Sequence, residues 1–189
     1  MGMPDLARRY TARDVLAFPD DGNRYELVDG ELLVTPAPAQ RHQGVIARLL
    51  ASLIPYVSAH PAVATLFPGP ADIFFSDEDY VQPDILVVPA HQVTGRWEDI
   101  RTLLLAVEVL SPSSARQDRV TKRRLYQRRG VATYWVVDPD ARVVEVWRPE
   151  DERPEIVTEA LSWRLADDVE PMTVGLGEIF EEARDHGSK

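Results

Sequence analysis

The chain has no cysteine in its 189 residues. Disulfides, thiolate metal sites and a cysteine nucleophile are therefore excluded. Any metal ion would have to be held by Asp, Glu, His or backbone oxygen, a donor set that favours Mg2+ or Mn2+ over structural zinc. Long apolar runs are also missing: nothing is extended enough to cross a bilayer, and the first residues lack the apolar core of a signal peptide, so the expected compartment is the cytoplasm with no membrane partner. An excess of positive charge is lacking as well. The formal net charge of −10 speaks against a protein that coats nucleic acid non-specifically, but leaves room for a local basic surface. No internal repeat, low-complexity tract or inter-domain linker interrupts the sequence. Its length suits one domain with its own core, expected over 1–189.

What is present reads as alternating strands and helices. A short helix is expected around Ala12–Ala17, ended by Pro19. Tyr25–Val28 and Glu31–Val34 flank Asp29-Gly30, a two-residue hairpin signal because such a turn needs positive φ at both centres. That register pairs Leu27 with Leu32 and Tyr25 with Val34 on one face and leaves Glu26 on the other. After the loop Thr35–Pro38, apolar residues from Val45 to Val57 follow helical spacing, predicting a helix from about Gln40 to Val57, kinked or ended by Pro55. Strands are expected around 62–67, 71–75 and 82–88, then a polar, mobile loop over 89–101 and a strand over 103–110 too apolar to face water. Ser114 and Gln117 suggest a capping box for a helix that stops at Gly130. Strands at 133–137 and 143–147 follow, and the acidic remainder alternates only weakly. A mixed sheet flanked by helices results.

Two carboxylates stand where apolar residues belong. Asp84 lies in Val81-Gln-Pro-Asp-Ile-Leu and Glu108 in Leu105-Ala-Val-Glu-Val-Leu. Burying an ionised carboxylate costs several kcal/mol, roughly, unless it is paired or bound to a cation. Each alone could cap a turn or pair with an arginine; two on consecutive strands make a natural site for a hard divalent ion. Lys122 follows on the next helix. With Asp118 it forms an i, i+4 pair, which read blandly is a surface contact, yet the helix returns directly from Glu108 and can turn the lysine to the sheet end. The same stretch carries Arg116, Arg119, Lys122, Arg123, Arg124, Arg128 and Arg129 against one acid. A basic helix beside paired carboxylates suits a phosphodiester, with Arg116, Arg119 and Arg123 as candidate nucleic-acid contacts; a merely solvated face is the alternative.

Six blocks resemble the Uma-type family of restriction endonucleases in the PD-(D/E)XK nuclease superfamily: Tyr25–Leu32, Arg41-His42, Gln82–Ile85, Val107–Ser113, Asp118…Lys122…Tyr126 and Tyr134–Pro139. They keep their order over roughly 24–148. The resemblance implies an α/β fold, a restriction-endonuclease-like core with a central mixed sheet of four or five strands, flanked by helices and preceded by an N-terminal hairpin. It implies Asp84 and Glu108 as ligands of Mg2+ or Mn2+ and metal-dependent hydrolysis of DNA. It also implies a departure: the superfamily lysine stands two residues after the acid, here Leu110, and Lys122 is the matching residue on the following helix. Lys122 would orient or help deprotonate the attacking water, or neutralise charge building on the phosphate. Glu26 and His42 are additional candidates: Glu26 extends the acidic cluster or faces solvent, and His42 binds phosphate at a helix N-terminus or is a core histidine bonded to backbone.

Two other readings compete. The acidic balance and Leu110 suit a nuclease fold without catalysis that binds DNA or another protein. A closed pocket in place of a groove would suit a hydrolase of small phosphorylated molecules. Two coordinated cuts would need a homodimer.

Overall fold

The structure, a computed structural model, describes residues 8–181; the lead-in before Arg8 and the closing His-Gly-Ser-Lys lie outside them. A short helix, α1 (Ala12–Leu16), opens the described chain, capped reciprocally by Thr11 and Asp14. The hairpin β1 (Arg24–Val28) and β2 (Glu31–Thr35) has the expected register, Leu27 opposite Leu32 and Tyr25 opposite Val34. Its turn carries Asp29 at φ 53° and Gly30 at φ 75°, the two positive values that a two-residue turn requires. Helix α2 spans Gln40–Ser58 and runs through Pro55 rather than ending there. Pro55 sits one turn from the end, so the bond it cannot donate removes little of the remaining helix.

Strands β3 (Ala64–Pro68), β4 (Ile73–Ser76), β5 (Asp79–Val81) and β6 (Ile85–Pro89) follow. The single strand expected over 82–88 is in fact broken. β5 belongs to a four-stranded sheet ordered β2-β1-β5-β4, and β6 to a six-stranded sheet. The chain crosses between them at Gln82-Pro83, where proline has no N–H for a ladder. Residues 89–101 hold two 3-10 turns, and Gln92 accepts from the backbone N–H groups of Arg101 and Thr102. Next come β7 (Leu105–Val109), a π-helical stretch at Gln117–Lys122 that continues as α3 (Arg123–Arg128), β8 (Tyr134–Asp138) and β9 (Val143–Trp147). The expected Ser114–Gln117 capping box is not formed; Ser114 Oγ accepts from the Ser111 N–H instead. The acidic tail forms β10 (Glu155–Val157), β11 (Ala160–Trp163), β12 (Met172–Gly175) and α4 (Leu176–Ile179).

The large sheet is ordered β10-β9-β8-β7-β6-β3, with six strands instead of the four or five expected. It is mixed because β7 and β8 run parallel while every other neighbour is antiparallel. A parallel pair needs a crossover, and α3 supplies it. One face of this sheet packs on α2 and the tail through Leu49, Leu53, Trp135 and Leu161. The other face packs on the four-stranded sheet and α3 through Leu86, Ala106, Leu125 and Tyr126. Period-2 alternation decides the rest: Tyr25, Leu27 and Leu32 face α1 on the outer side of the small sheet, whereas Val28 and Leu33 face inward. Glu26, opposite Leu33 in the register, therefore points between the two sheets.

Candidate active site

Five elements meet at the ends of β6 and β7. β1 brings Arg24 and Glu26, the crossing into β6 brings Asp84, and β7 brings Glu108. The third residue of α2 is His42, and the π-helical stretch carries Asp118 and Lys122. Glu108 shares its strand face with Ala106 and Leu110, so it turns toward α3. The π geometry shows in the Arg123 N–H, which bonds back to the Asp118 carbonyl, five residues earlier. Inserting this wider turn directs both Asp118 and Lys122 inward, where they are 1% and 3% exposed. Gly69 packs against the backbone that carries Asp84. Its N–H donates to the Asp84 carbonyl at 2.7 Å, and a Cβ there would stand 2.3 Å from the Pro83 carbonyl oxygen.

Lys122 is enclosed by carboxylates. Its Nζ lies 2.7 Å from Glu26 Oε2, 3.0 Å from Glu108 Oε1 and 3.4 Å from Asp118 Oδ1. Glu108 Oε1 also accepts from Tyr126 Oη at 3.1 Å, and Glu26 Oε1 from the Gln82 N–H at 2.7 Å. Glu26 Oε2 and Asp118 Oδ1 are buried, and the lysine ammonium beside them compensates both.

Asp84 is held from three sides. Its Oδ2 accepts from the Val109 N–H at 2.9 Å and lies 3.1 Å from His42 Nε2; its Oδ1 accepts from Arg24 Nη1 at 3.1 Å. Arg24 Nη1 also donates to the Gln82 carbonyl.

These surroundings divide the two acids. Burial pushes Asp84 up, but the His42 hydrogen bond and charge, Arg24 and the Val109 N–H outweigh it, and its net shift is downward. Burial pushes Glu108 well above the usual carboxylate range; Lys122 opposes this, while Asp118, Asp84 and Glu26 add to it. Asp118 is raised for the same first reason, against Lys122 and Ser114. Burial alone would lower Lys122, yet Glu108, Glu26 and Asp118 together raise it well above the normal lysine value. The three acids thus favour the ammonium form of Lys122.

A pocket of about 220 Å3 opens onto the cluster, with Arg24, Asp84, Glu108 and Lys122 among its walls. Its rim is Thr35–Ala39 on one side and Ser111–Ser114 on the other. The N-terminus of α2 also borders it without a side-chain cap. Among the described residues no three Asp, Glu or His side chains converge into a ready-made metal cage. Asp84 and Glu108 nonetheless line the pocket together, and Glu108 Oε2 accepts no hydrogen bond from the described residues. Four carboxylates face two permanently charged basic groups. That deficit of positive charge along the pocket lining fits a hard ion that keeps waters or substrate oxygens as its other ligands.

The structure brings Asp84, Glu108, Lys122, Glu26 and His42 into one site. Glu26 is 1% exposed, which removes the solvent-facing alternative. His42 contacts Asp84 through Nε2, and its buried Nδ1 has no hydrogen-bond partner among the described residues, which departs from the backbone-bonded core histidine of the alternative reading. Lys122 and Asp118 do form their i, i+4 pair, but in the interior and not on a surface. Of the three arginines, Arg116 is exposed, Arg119 is engaged by Asp138 and Glu145, and Arg123 lies over the Trp147 ring and bonds Gln127. Arg24 has no signal in the sequence: it precedes the hairpin turn and has no spacing that singles it out.

A family profile described as Uma2, "Putative restriction endonuclease", matches residues 12–174. No curated protein matches the chain. Among solved structures, a "putative nuclease belonging to DUF820" from Anabaena variabilis superimposes with a TM-score of 0.73, covering 90% of this chain and 97% of the other at 23% identity. The likeness to that structure concerns the fold.

Proposed function

This chain belongs to the Uma2 family, and on that premise we propose that it is a metal-dependent endonuclease hydrolysing phosphodiester bonds in DNA. The observation that carries the reading is the pairing of Asp84 and Glu108 on one pocket wall with Lys122 locked behind Glu108. Asp84 and Glu108 would hold Mg2+ or Mn2+. When bound, such an ion supplies Lewis-acid stabilisation of charge on a phosphoryl oxygen. The division of the two acids suits cation binding. Asp84 is ionised in advance by His42, Arg24 and Val109, while Glu108 in its buried setting gains most from an arriving cation.

Lys122 acts as a charge. Its ammonium fixes the Glu108 carboxylate, with Tyr126 on the same oxygen, and adds positive potential where phosphate charge builds. It does not accept the proton of the attacking water. His42 orients Asp84. Arg116, exposed at the start of the basic helix, is the arginine best placed for a flanking phosphate, since Arg119 and Arg123 are engaged within the fold. The test is nicking of supercoiled plasmid with Mn2+, Mg2+ or EDTA. Metal-dependent nicking that Asp84→Ala and Lys122→Ala both lose is the expected result. A wild-type protein that cuts neither DNA nor RNA under these conditions would sink the proposal.

A further inference from the structure

Arg24 differs from the other basic group of the site. Lys122 is enclosed by three acids at 2.7–3.4 Å, so its charge is largely compensated within the cluster. Arg24 is anchored at one nitrogen alone: Nη1 carries both of its hydrogen bonds, to Asp84 Oδ1 and to the Gln82 carbonyl, each 3.1 Å. Nε and Nη2 make none among the described residues, they are not among the buried unpaired atoms, and the side chain is 20% exposed on the pocket wall. A planar guanidinium pinned at one corner holds its remaining N–H donors in a fixed direction, the arrangement that suits a phosphate's paired oxygens.

The neighbourhood supports an anion at this point. Across the same pocket the 19-residue helix α2 begins at Gln40 with no side-chain cap and no acid in its first turn, so its leading N–H groups add positive potential there. We infer that Arg24 is the substrate-binding arginine of this site, gripping a phosphodiester oxygen of the nucleic acid next to Asp84 while Asp84 and Gln82 hold it in place. The inference rests on the nuclease reading. Asp84 thereby serves two ends, as a ligand for the cation and as the anchor for the group that seats the phosphate.

Binding of a fluorescein-labelled 20-bp duplex, followed by anisotropy in EDTA between about 50 and 200 mM NaCl, separates this role from mere neutralisation of Asp84. Arg24→Gln is expected to weaken binding about tenfold or more, as befits a lost charge-assisted contact. The slope of log K against log salt should fall by about 0.9, the signature of one phosphate contact. Arg24→Gln/Asp84→Asn is the decisive variant, because it leaves no unpaired carboxylate behind and folds even if the single variant does not. Compared with Asp84→Asn alone, it should show the same deficit and the same smaller slope. If the double variant binds the duplex as Asp84→Asn does, Arg24 only masks the aspartate and the inference is overturned while the nuclease reading stands. If the wild type neither binds the duplex nor nicks plasmid, the nuclease reading fails and takes this inference with it.

Discussion

Replacing Lys122 by methionine keeps the length of the side chain and removes its charge. Three buried acids, Glu26, Glu108 and Asp118, then lose the cation that stands 2.7–3.4 Å from each. Breaking a buried ion pair from one side costs about 3–5 kcal/mol, and a chain of this size loses roughly 2–4 °C of melting temperature per kcal/mol. A drop on the order of 10 °C at pH 8 is therefore expected. The pH dependence is the sharper part. Glu108 and Asp118 are already raised with Lys122 opposing the shift, so removing the lysine raises them further. A carboxyl whose folded pKa exceeds its unfolded value, about 4, binds more protons when folded. Stability then falls as pH rises through that window and returns as pH falls back toward the unfolded value. The deficit of Lys122→Met should be largest at pH 8 and shrink toward pH 5. The lysine itself contributes no slope there: its folded value is raised, so its contribution is complete below about 10.4 and is lost only as pH climbs through the higher folded value. Thermal melts by circular dichroism in EDTA at pH 5, 6, 7 and 8 give the answer. A variant as stable as wild type, or one with the same deficit at pH 5 and pH 8, would refute the account of Lys122 as the counter-charge of the cluster.

Three further outcomes are expected. Mn2+ at about a hundred times its Kd should stabilise the protein by about 2.7 kcal/mol, read as a rise in melting temperature, and Asp84→Asn should abolish the rise; an undiminished rise would place the ion elsewhere. Gly69→Ala forces a methyl group against the Pro83 carbonyl, so it should destabilise by about 1–3 kcal/mol and weaken the Mn2+ response, because the displaced backbone carries Asp84. Arg119→Ala loses ion pairs to Asp138 and Glu145 at 2.7 and 2.6 Å and should lower stability in denaturant melts by about 1–3 kcal/mol. It should leave the salt slope of DNA binding unchanged; a smaller slope would show that Arg119 touches phosphate after all.

Much was legible in the sequence because it is encoded locally. The Asp29-Gly30 turn fixes the hairpin, since two successive positive φ values admit few residues, and period-2 alternation then sends Glu26 to the face opposite Leu27. An acid inside the apolar run Leu105–Leu110 has to be buried, so Glu108 declared itself a candidate site residue, and α2 followed from its apolar stripe. The break at Pro83 was not legible, because the residues around it are mostly strand-formers and only the pairing partners decide that β5 and β6 enter different sheets. The tail strands were missed for the same reason: their short alternation becomes a strand only against a neighbour.

Tertiary structure decided the chemistry of the charges. Composition makes the helix after Ser114 basic, but packing determines that Arg119 is engaged by Asp138 and Glu145, that Lys122 meets Glu26 and Glu108 from two separate strands, and that Arg24 keeps donors unpaired among the described residues at the pocket. A charge's role depends on what lies within a few ångströms of it. In this site those neighbours come from distant positions, Glu26 and Lys122 being 96 residues apart, and no local pattern in the chain records that meeting.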